Sequence, residues 1–114
     1  MTAYAIGHLH NPTNDPDVFE YLERIDSTLE PYSGRFVIHG GRVEVLEGAW
    51  PGAVVVIEFP GVAQAKSWYR SAAYQAILPL RTRHISTDVI LAEGVEPGHK
   101  SAGLAARLRQ AARA

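Results

Sequence analysis

Cysteine is absent from the 114 residues, which excludes disulfides, thiol nucleophiles and thiolate metal sites. This composition suits a reducing compartment, so we expect a cytoplasmic protein. No apolar run approaches the ~18–20 residues that span a bilayer. The residues after Met1 show neither the basic region nor the apolar region of a secretory signal. The sequence therefore predicts no membrane segment and no membrane partner.

The chain also has no large excess of positive over negative residues, or the reverse. The chain carries 11 basic and 12 acidic residues, a formal net charge of -1. Binding to nucleic acid through its phosphates needs a basic surface, so we expect no nucleic-acid partner. The composition, 46% hydrophobic and 20% charged, is typical of a globular protein of this length with one main domain.

The end of the chain differs in charge from its body. Residues 95–114 contain one acidic and four basic residues, a charge of +3, which leaves -4 for residues 1–94. Pro97 and Gly98 precede an alanine-rich stretch that permits a helix. We predict one domain over 1–94 and a basic, Ala/Arg-rich tail over 95–114 that is helical or frayed and docks weakly or not at all. The alternative is a basic arm that binds an acidic surface.

Strand and helix patterns alternate along the body. Asp15 and Pro16 indicate the start of the first helix, and Ser71 caps a further turn after the second. Glycines 40 and 41 interrupt the second strand and predict a bulge there. The strands are predicted at 3–10, 35–39 resuming at 42–47, 53–59 and 85–93. This βαββαβ order predicts an α+β, ferredoxin-like fold, an antiparallel sheet with both helices on one face.

The third strand carries apolar side chains on both faces. Residues 54–57 read Val-Val-Val-Ile, the pattern of a strand that is buried on both sides. The two helices cover only one face of the sheet. The economical cover for the other face is a second copy of the chain, so we predict a homodimer with a barrel-like core.

A series of short motifs follows one order along the chain. The motifs are Leu29-Glu30-Pro31-Tyr32-Ser33-Gly34-Arg35-Phe36, Gly40-Gly41, Leu46-Glu47-Gly48-Ala49-Trp50, Val56-Ile57-Glu58-Phe59-Pro60, Trp68-Tyr69-Arg70-Ser71, Tyr74-Gln75 and Pro79-Leu80-Arg81. Together they resemble a known family, the domain of unknown function numbered 1330, within the dimeric α+β barrel superfamily. The resemblance covers residues 3–94 and implies a ferredoxin-like homodimer without a settled activity. Relatives by fold include cofactor-free monooxygenases, lactone isomerases, cyclases and haem enzymes, although fold does not transfer function.

Three positions depart from what many members of that family carry. His39 stands where an arginine precedes the glycine pair, and Gly52-Ala53 stand where an arginine precedes the third strand. Ala73 stands where an acid precedes Tyr74. Relative to those family members, the chain therefore lacks two cationic side chains and one anionic side chain near the shared motifs. These departures weaken the case for an anionic substrate and favour an apolar or aromatic ligand.

His39 and Glu58 are the candidate catalytic pair. A strand bulge can aim His39 into a cavity, and histidine titrates near neutrality, as a general base requires. Glu58 ends a buried strand, where burial would raise the pKa of an unpaired carboxyl. The competing interpretation is structural, with Glu58 paired to Arg35 or Arg42 and His39 exposed.

Aromatic residues supply the other candidates. The aromatic group packs the core, lines a pocket or does both; its members are Trp50, Trp68, Tyr69 and Tyr74. The hydroxyl of Tyr69 or Tyr74 could donate a hydrogen bond to a negatively charged oxygen of a substrate. We assign Tyr69 to the catalytic set with His39 and Glu58. The candidate substrate-binding residues are Arg35, Trp50, Trp68 and Tyr74.

No metal or cofactor is expected. His8 and His10 fall on one face of the first strand, but two nitrogens do not make a closed zinc site and no acid has convincing spacing. Two hypotheses therefore remain. One is a cofactor-independent isomerase, cyclase or monooxygenase that acts on an apolar or aromatic metabolite. The other is a non-catalytic dimeric protein whose polar residues form a satisfied network.

Overall fold

Four antiparallel strands form one sheet in a computed structural model that describes residues 1–113. The sheet order is β2-β3-β1-β4, so β1 and β3 lie at its centre. This is the α+β, ferredoxin-like arrangement that the element order predicts. The elements are β1 (Ala3–His10), α1 (Pro16–Leu29), a 3-10 turn (Glu30–Tyr32), β2 (Arg35–Ile38), β3 (Ala53–Phe59), α2 (Val62–Arg70), α3 (Ala72–Thr82), β4 (Ser86–Glu93) and α4 (Ser101–Ala112).

Local sequence explains where the helices begin and end. The Asp15 side chain accepts a hydrogen bond from the Asp17 amide at 2.9 Å, and Pro16 occupies the first turn of α1. Ser71 ends α2 and caps α3, because its hydroxyl accepts from the Tyr74 amide at 3.2 Å. Pro79 lies inside α3 and does not end it. No helix among residues 1–113 combines the length and the apolar character needed to cross a membrane.

The second strand is shorter than the sequence predicts. β2 ends at Ile38, and residues 42–47 form no strand, so that part of the prediction was wrong. The predicted bulge is also displaced, because the register with β3 shifts between Phe36 and Ile38, before the glycine pair. Gly40 adopts a φ of +76°, a left-handed conformation in which a strand does not continue. The alternating valines Val43 and Val45 are left exposed.

The two faces of the sheet differ in what covers them. Ala5, Ile57 and Phe59 face the helices and are buried against side chains such as Ile25 and Ile77. The residues between them in sequence point to the opposite face, which we call the open face. Register places six apolar or aromatic side chains there: Tyr4, Ile6, Ile38, Val54, Val56 and Ile90. Ile90 is 57% exposed, so the open face is only partly covered within one chain.

The tail forms α4, and every residue of this helix is exposed. Leu104 and Leu108, its two large apolar side chains, are exposed with the rest. The helix therefore forms without burying an apolar stripe against the sheet or the other helices. Ala114, the last residue of the predicted tail, lies outside the described residues.

Candidate functional site

A pocket lies between α1, α3 and the helix-covered face of the sheet. We call it the helix–sheet pocket. Its cavity volume is about 80 Å³, and it opens to solvent. Apolar side chains form most of its wall, among them Val18, Ile25, Val55 and Ile85. Gly7 in β1 leaves room at its floor, because this residue has no side chain. An apolar wall of this kind suits a small organic ligand.

Three polar side chains meet inside this apolar wall. The hydroxyls of Tyr21 and Tyr74 form a hydrogen bond of 2.8 Å, and both residues are buried. The guanidinium carbon of Arg81 lies 5.6 Å from the centre of the Tyr21 ring, and Arg81 is only 6% exposed. The helices bring the three together, because Tyr74 and Arg81 occupy one face of α3 and Tyr21 the facing stripe of α1.

Burial and mutual contact set the protonation of this trio. Burial raises the pKa of the Tyr21 phenol far above its ordinary value, and the Tyr74 hydroxyl raises it further, against a smaller opposing effect of Arg81. Burial acts to lower the pKa of Arg81, but the phenol oxygens of Tyr21 and Tyr74 outweigh it, and the pKa is raised. Near neutral pH, Tyr21 is therefore an uncharged hydrogen-bonding group beside a permanent cation.

His39 lies at the edge of this pocket. It follows β2, is exposed and lines the helix–sheet pocket, and its ring stacks on Phe36 with a centroid distance of 4.0 Å and an interplanar angle of 10°. Phe36 in turn packs against the buried core. The contact holds His39 on the helix-covered side of the sheet, where it can reach a ligand in the pocket.

Glu58 lies on the other side of the sheet. It stands between Ile57 and Phe59, which face the helices, so its side chain points to the open face. There it forms an ion pair with Arg35, its register partner on β2. The Glu58 side chain is 25% exposed and that of Arg35 is 70% exposed. The sheet thus separates Glu58 from His39, and the structure does not bring the two together.

The remaining aromatic candidates are distributed over three places. Trp68 is buried at the helix–sheet pocket, and its indole Nε1–H donates to the Thr28 hydroxyl at 3.0 Å. Trp50 is partly exposed and stacks on His8 at 3.9 Å, away from the pocket. Tyr69 is also partly exposed, and its ring centre lies 5.6 Å from that of Tyr74 without lining the pocket. Of these three, only Trp68 can touch a ligand in the pocket.

Two groups of side chains have ligand atoms close enough to surround a metal ion. One is His8, His10 and Asp88, which β4 brings beside β1; the other is Asp15, Asp17 and His84. In the first group, His8 Nε2 is bonded to the Pro51 carbonyl oxygen and His10 Nε2 to the Asp88 carboxylate, both at 2.9 Å. These bonds already occupy the Nε2 atoms of both histidines, so the geometry alone does not call for an ion.

The helix–sheet pocket therefore gathers His39, Trp68 and Tyr74 from the sequence-predicted set and leaves Arg35, Trp50, Glu58 and Tyr69 outside it. Sequence reasoning missed Tyr21 and Arg81. A signal for Arg81 was present, because residues 74, 77 and 81 share one face of a helix and a cation on an otherwise buried stripe is unusual. Tyr21 was counted only among the apolar residues of the first helix.

Comparison with known families finds one match. The family model of the domain of unknown function DUF1330 matches residues 2–95, which is most of the chain. The matched range contains every strand of the sheet and the whole helix–sheet pocket, and it leaves out α4. No curated protein matches the sequence.

Solved structures show the same fold at low sequence identity. A protein of unknown function from Rhodopseudomonas palustris has a TM-score of 0.64 at 17% identity, with 84% of each chain covered. A dimeric ferredoxin-like protein of unknown function from Jannaschia sp. CCS1 has a TM-score of 0.63 at 11% identity, covering 82% of this chain and 100% of that one. SnoaB, a cofactor-independent oxygenase from Streptomyces nogalater, has a TM-score of 0.54 at 10% identity, covering 87% and 96%.

Proposed function

We propose that this chain, which belongs to the DUF1330 family, binds a small apolar or aromatic molecule in the helix–sheet pocket. The observation that carries the proposal is an apolar cavity with a few polar groups converging in it, Tyr21, Tyr74 and Arg81. Protein sites for small organic molecules combine these two features, apolar walls for affinity and a few polar groups for orientation. The rings of Trp68 and Tyr74 offer faces on which a planar ligand can pack.

A second candidate function is proton-transfer catalysis on that ligand without metal or organic cofactor. The observation that favours it is the position of His39 at the same pocket as the two buried phenols. An imidazole can take a proton from the ligand while a phenol donates to the oxygen that becomes negative. The shared fold with SnoaB, a cofactor-independent oxygenase, is consistent with such chemistry and does not establish it. Glu58 has no part in this version, because the sheet stands between it and the pocket.

We also propose that the open face of the sheet forms a homodimer. Its exposed apolar side chains, such as Ile38 and Ile90, need a cover that one chain does not supply. A second copy of the same face is the economical cover, since a two-fold axis makes a patch self-complementary. The Jannaschia protein with this fold is described as dimeric. The exposed valines Val43 and Val45 follow β2 along the chain, and we propose that they contact the partner chain.

A glycine in the pocket floor allows a direct test of ligand binding. A Cβ at Gly7 would meet only ordinary contacts, 3.4 Å to Leu9 Cδ1 and 3.9 Å to Thr87 Cγ2. Gly7→Val should therefore fold, since β-branched residues suit strands, and its side chain should occupy the pocket. The measurement is quenching of Trp68 fluorescence by 2-naphthol in a Trp50→Phe background, where Trp68 is the remaining tryptophan.

We expect Gly7→Val to lower the affinity for 2-naphthol by at least about tenfold, because the ligand loses the space it occupies. Gly103→Val is the matched control, since Gly103 lies in exposed α4 with open space around it. The control should bind like the parent chain. Equal quenching in both variants, or none in the parent, would refute the pocket as the binding site.

A further inference from the structure

Arg81 differs from every other charged residue among positions 1–113 in being buried. The other buried polar side chains near it, the hydroxyls of Thr28, Tyr21 and Tyr74, are uncharged. Arg81 lines the helix–sheet pocket, and its cation lies among apolar side chains and two phenols. A charge in such surroundings is costly unless a partner of opposite sign is present.

No carboxylate among residues 1–113 supplies that partner. The ion pairs of the described residues involve His10, Arg24, Arg35 and His84, and none involves Arg81. No aspartate or glutamate lines the pocket either. The pocket therefore has a positive charge that its own wall does not neutralise.

The two phenols complete a binding geometry for a negative oxygen. In the hydrogen bond between Tyr21 and Tyr74, one hydroxyl donates and the other accepts, so the acceptor keeps its own proton free to donate. The hydroxyl that keeps its proton lines the same pocket as the Arg81 guanidinium, whose planar N–H groups match the two oxygens of a carboxylate. A phenol is protonated at neutral pH and burial raises the pKa of Tyr21 further, so the site can donate from both kinds of group.

We propose that the helix–sheet pocket binds its ligand through an anionic oxygen on an apolar ring system, held by Arg81 and one hydroxyl of the Tyr21–Tyr74 pair. The inference rests on the proposed function, since it assumes that the pocket takes a small molecule. The missing arginines of the family pattern favoured a ligand without charge. Arg81 reverses that expectation. The missing arginines would have stood beside the second and third strands, whereas Arg81 supplies a cation to the pocket from α3.

Two kinds of ligand carry an anionic oxygen on an apolar ring system: a carboxylate, and an ionised enol or phenol. Titration calorimetry with 2-naphthoate and its neutral amide, 2-naphthamide, measures how much a carboxylate charge adds to the binding affinity. Absorbance of 4-nitrophenol, whose ionised form is yellow, measures whether the pocket favours an ionised phenol. The kind of ligand is assigned by which of the two anions gains affinity from Arg81.

In the full chain, we expect 2-naphthoate or 4-nitrophenolate to bind at least about tenfold more tightly than 2-naphthamide. Arg81→Met should remove that preference and leave naphthamide binding in place, since methionine keeps an apolar stem in the pocket. Arg83→Met is the matched control, because Arg83 lies two residues away and is exposed. It should keep the preference for the anion.

A second variant guards against misfolding of Arg81→Met. Tyr74→Phe keeps the ring and removes one hydroxyl, so it should weaken anion binding by roughly 2- to 10-fold without changing naphthamide binding. Naphthamide that binds as tightly as both anions, or anion binding that survives Arg81→Met, would overturn the oxyanion site and leave the proposed function standing. Failure of all three probes to bind would overturn both.

Discussion

The hydrogen bond between Trp68 and Thr28 gives the sharpest test of how the pocket wall is held. Both residues are buried, and the Thr28 hydroxyl accepts from the indole at 3.0 Å while it donates to the Ile25 carbonyl oxygen at 2.7 Å. Thr28→Val keeps the side-chain volume and leaves the indole N–H buried without an acceptor. A buried unsatisfied donor costs about 1–3 kcal/mol.

For a domain of this size, that loss of stability corresponds to a fall in Tm of roughly 5 °C or more. The measurement is thermal unfolding by circular dichroism, with every variant at the same protein concentration, since assembly would make Tm depend on it. Thr28→Val is compared in the wild-type and Trp68→Phe backgrounds. The valine should cost at least about 1 kcal/mol less where the indole is absent. An equal cost in both backgrounds would refute the assignment of this hydrogen bond.

Four further predictions concern the open face, the candidate pair of Glu58 and His39, and the tail. Val56→Asp places a charge on the open face and should dissociate the dimer or unfold the chain. Light scattering measures the particle mass, and a wild-type particle of 12.4 kDa would contradict the dimer. Glu58→Gln should lower the free energy of unfolding by no more than about 1 kcal/mol in urea titrations, because its ion-pair partner Arg35 is mostly exposed. His39→Gln should leave stability unchanged while slowing any turnover by ~10²–10⁴, and unchanged turnover would exclude His39 as the base. Deletion of residues 97–114 should lower Tm by a few degrees at most, and loss of assembly would show that α4 docks on a partner.

Local patterns predicted most of the fold because most of its determinants are local. β1 and β3 begin and end where the sequence predicts, and the Asp15 cap begins α1 as expected. The prediction failed at residues 42–47, where alternating valines carry a strand pattern but find no partner after Gly40 turns the chain. A strand needs hydrogen bonds from a neighbour, and the sequence of one segment does not say whether a neighbour is within reach.

The site was harder to predict, because it depends on which face each side chain takes. Strand alternation already separates Glu58 from Ile57, so the sequence could have placed Glu58 on the open face and away from a pocket beneath the helices. The trio of Tyr21, Tyr74 and Arg81 needed the packing of α1 against α3, a contact between segments more than 50 residues apart in the chain. Periodicity marks the buried face of each helix but not which faces meet.

Alkaline unfolding tests whether Tyr21 is held protonated in that trio. Burial and then the Tyr74 hydroxyl raise the pKa of Tyr21 above its ordinary value of 10.0 in the folded state. In the unfolded chain, Tyr21 ionises as the pH passes that value, while in the folded chain it stays protonated. Its contribution to stability is therefore fully present below pH 10.0 and is lost as the pH rises above it, at up to ~1.4 kcal/mol for each pH unit.

Tyr21→Phe removes this group from both states, so its unfolding free energy should decline less steeply than that of the wild type between about pH 9 and pH 11. The expected difference over this range is about 1.4 kcal/mol, measured by urea unfolding at each pH. Tyr69→Phe is the control, because it also removes one phenol from the unfolded chain but an exposed one from the folded state. Parallel pH curves for wild type and Tyr21→Phe would mean that Tyr21 ionises as easily in the pocket as in water. An unshifted Tyr21 would still be protonated at neutral pH and able to donate, so that result would contradict the desolvation of the trio and not its hydrogen bonding to a negative oxygen.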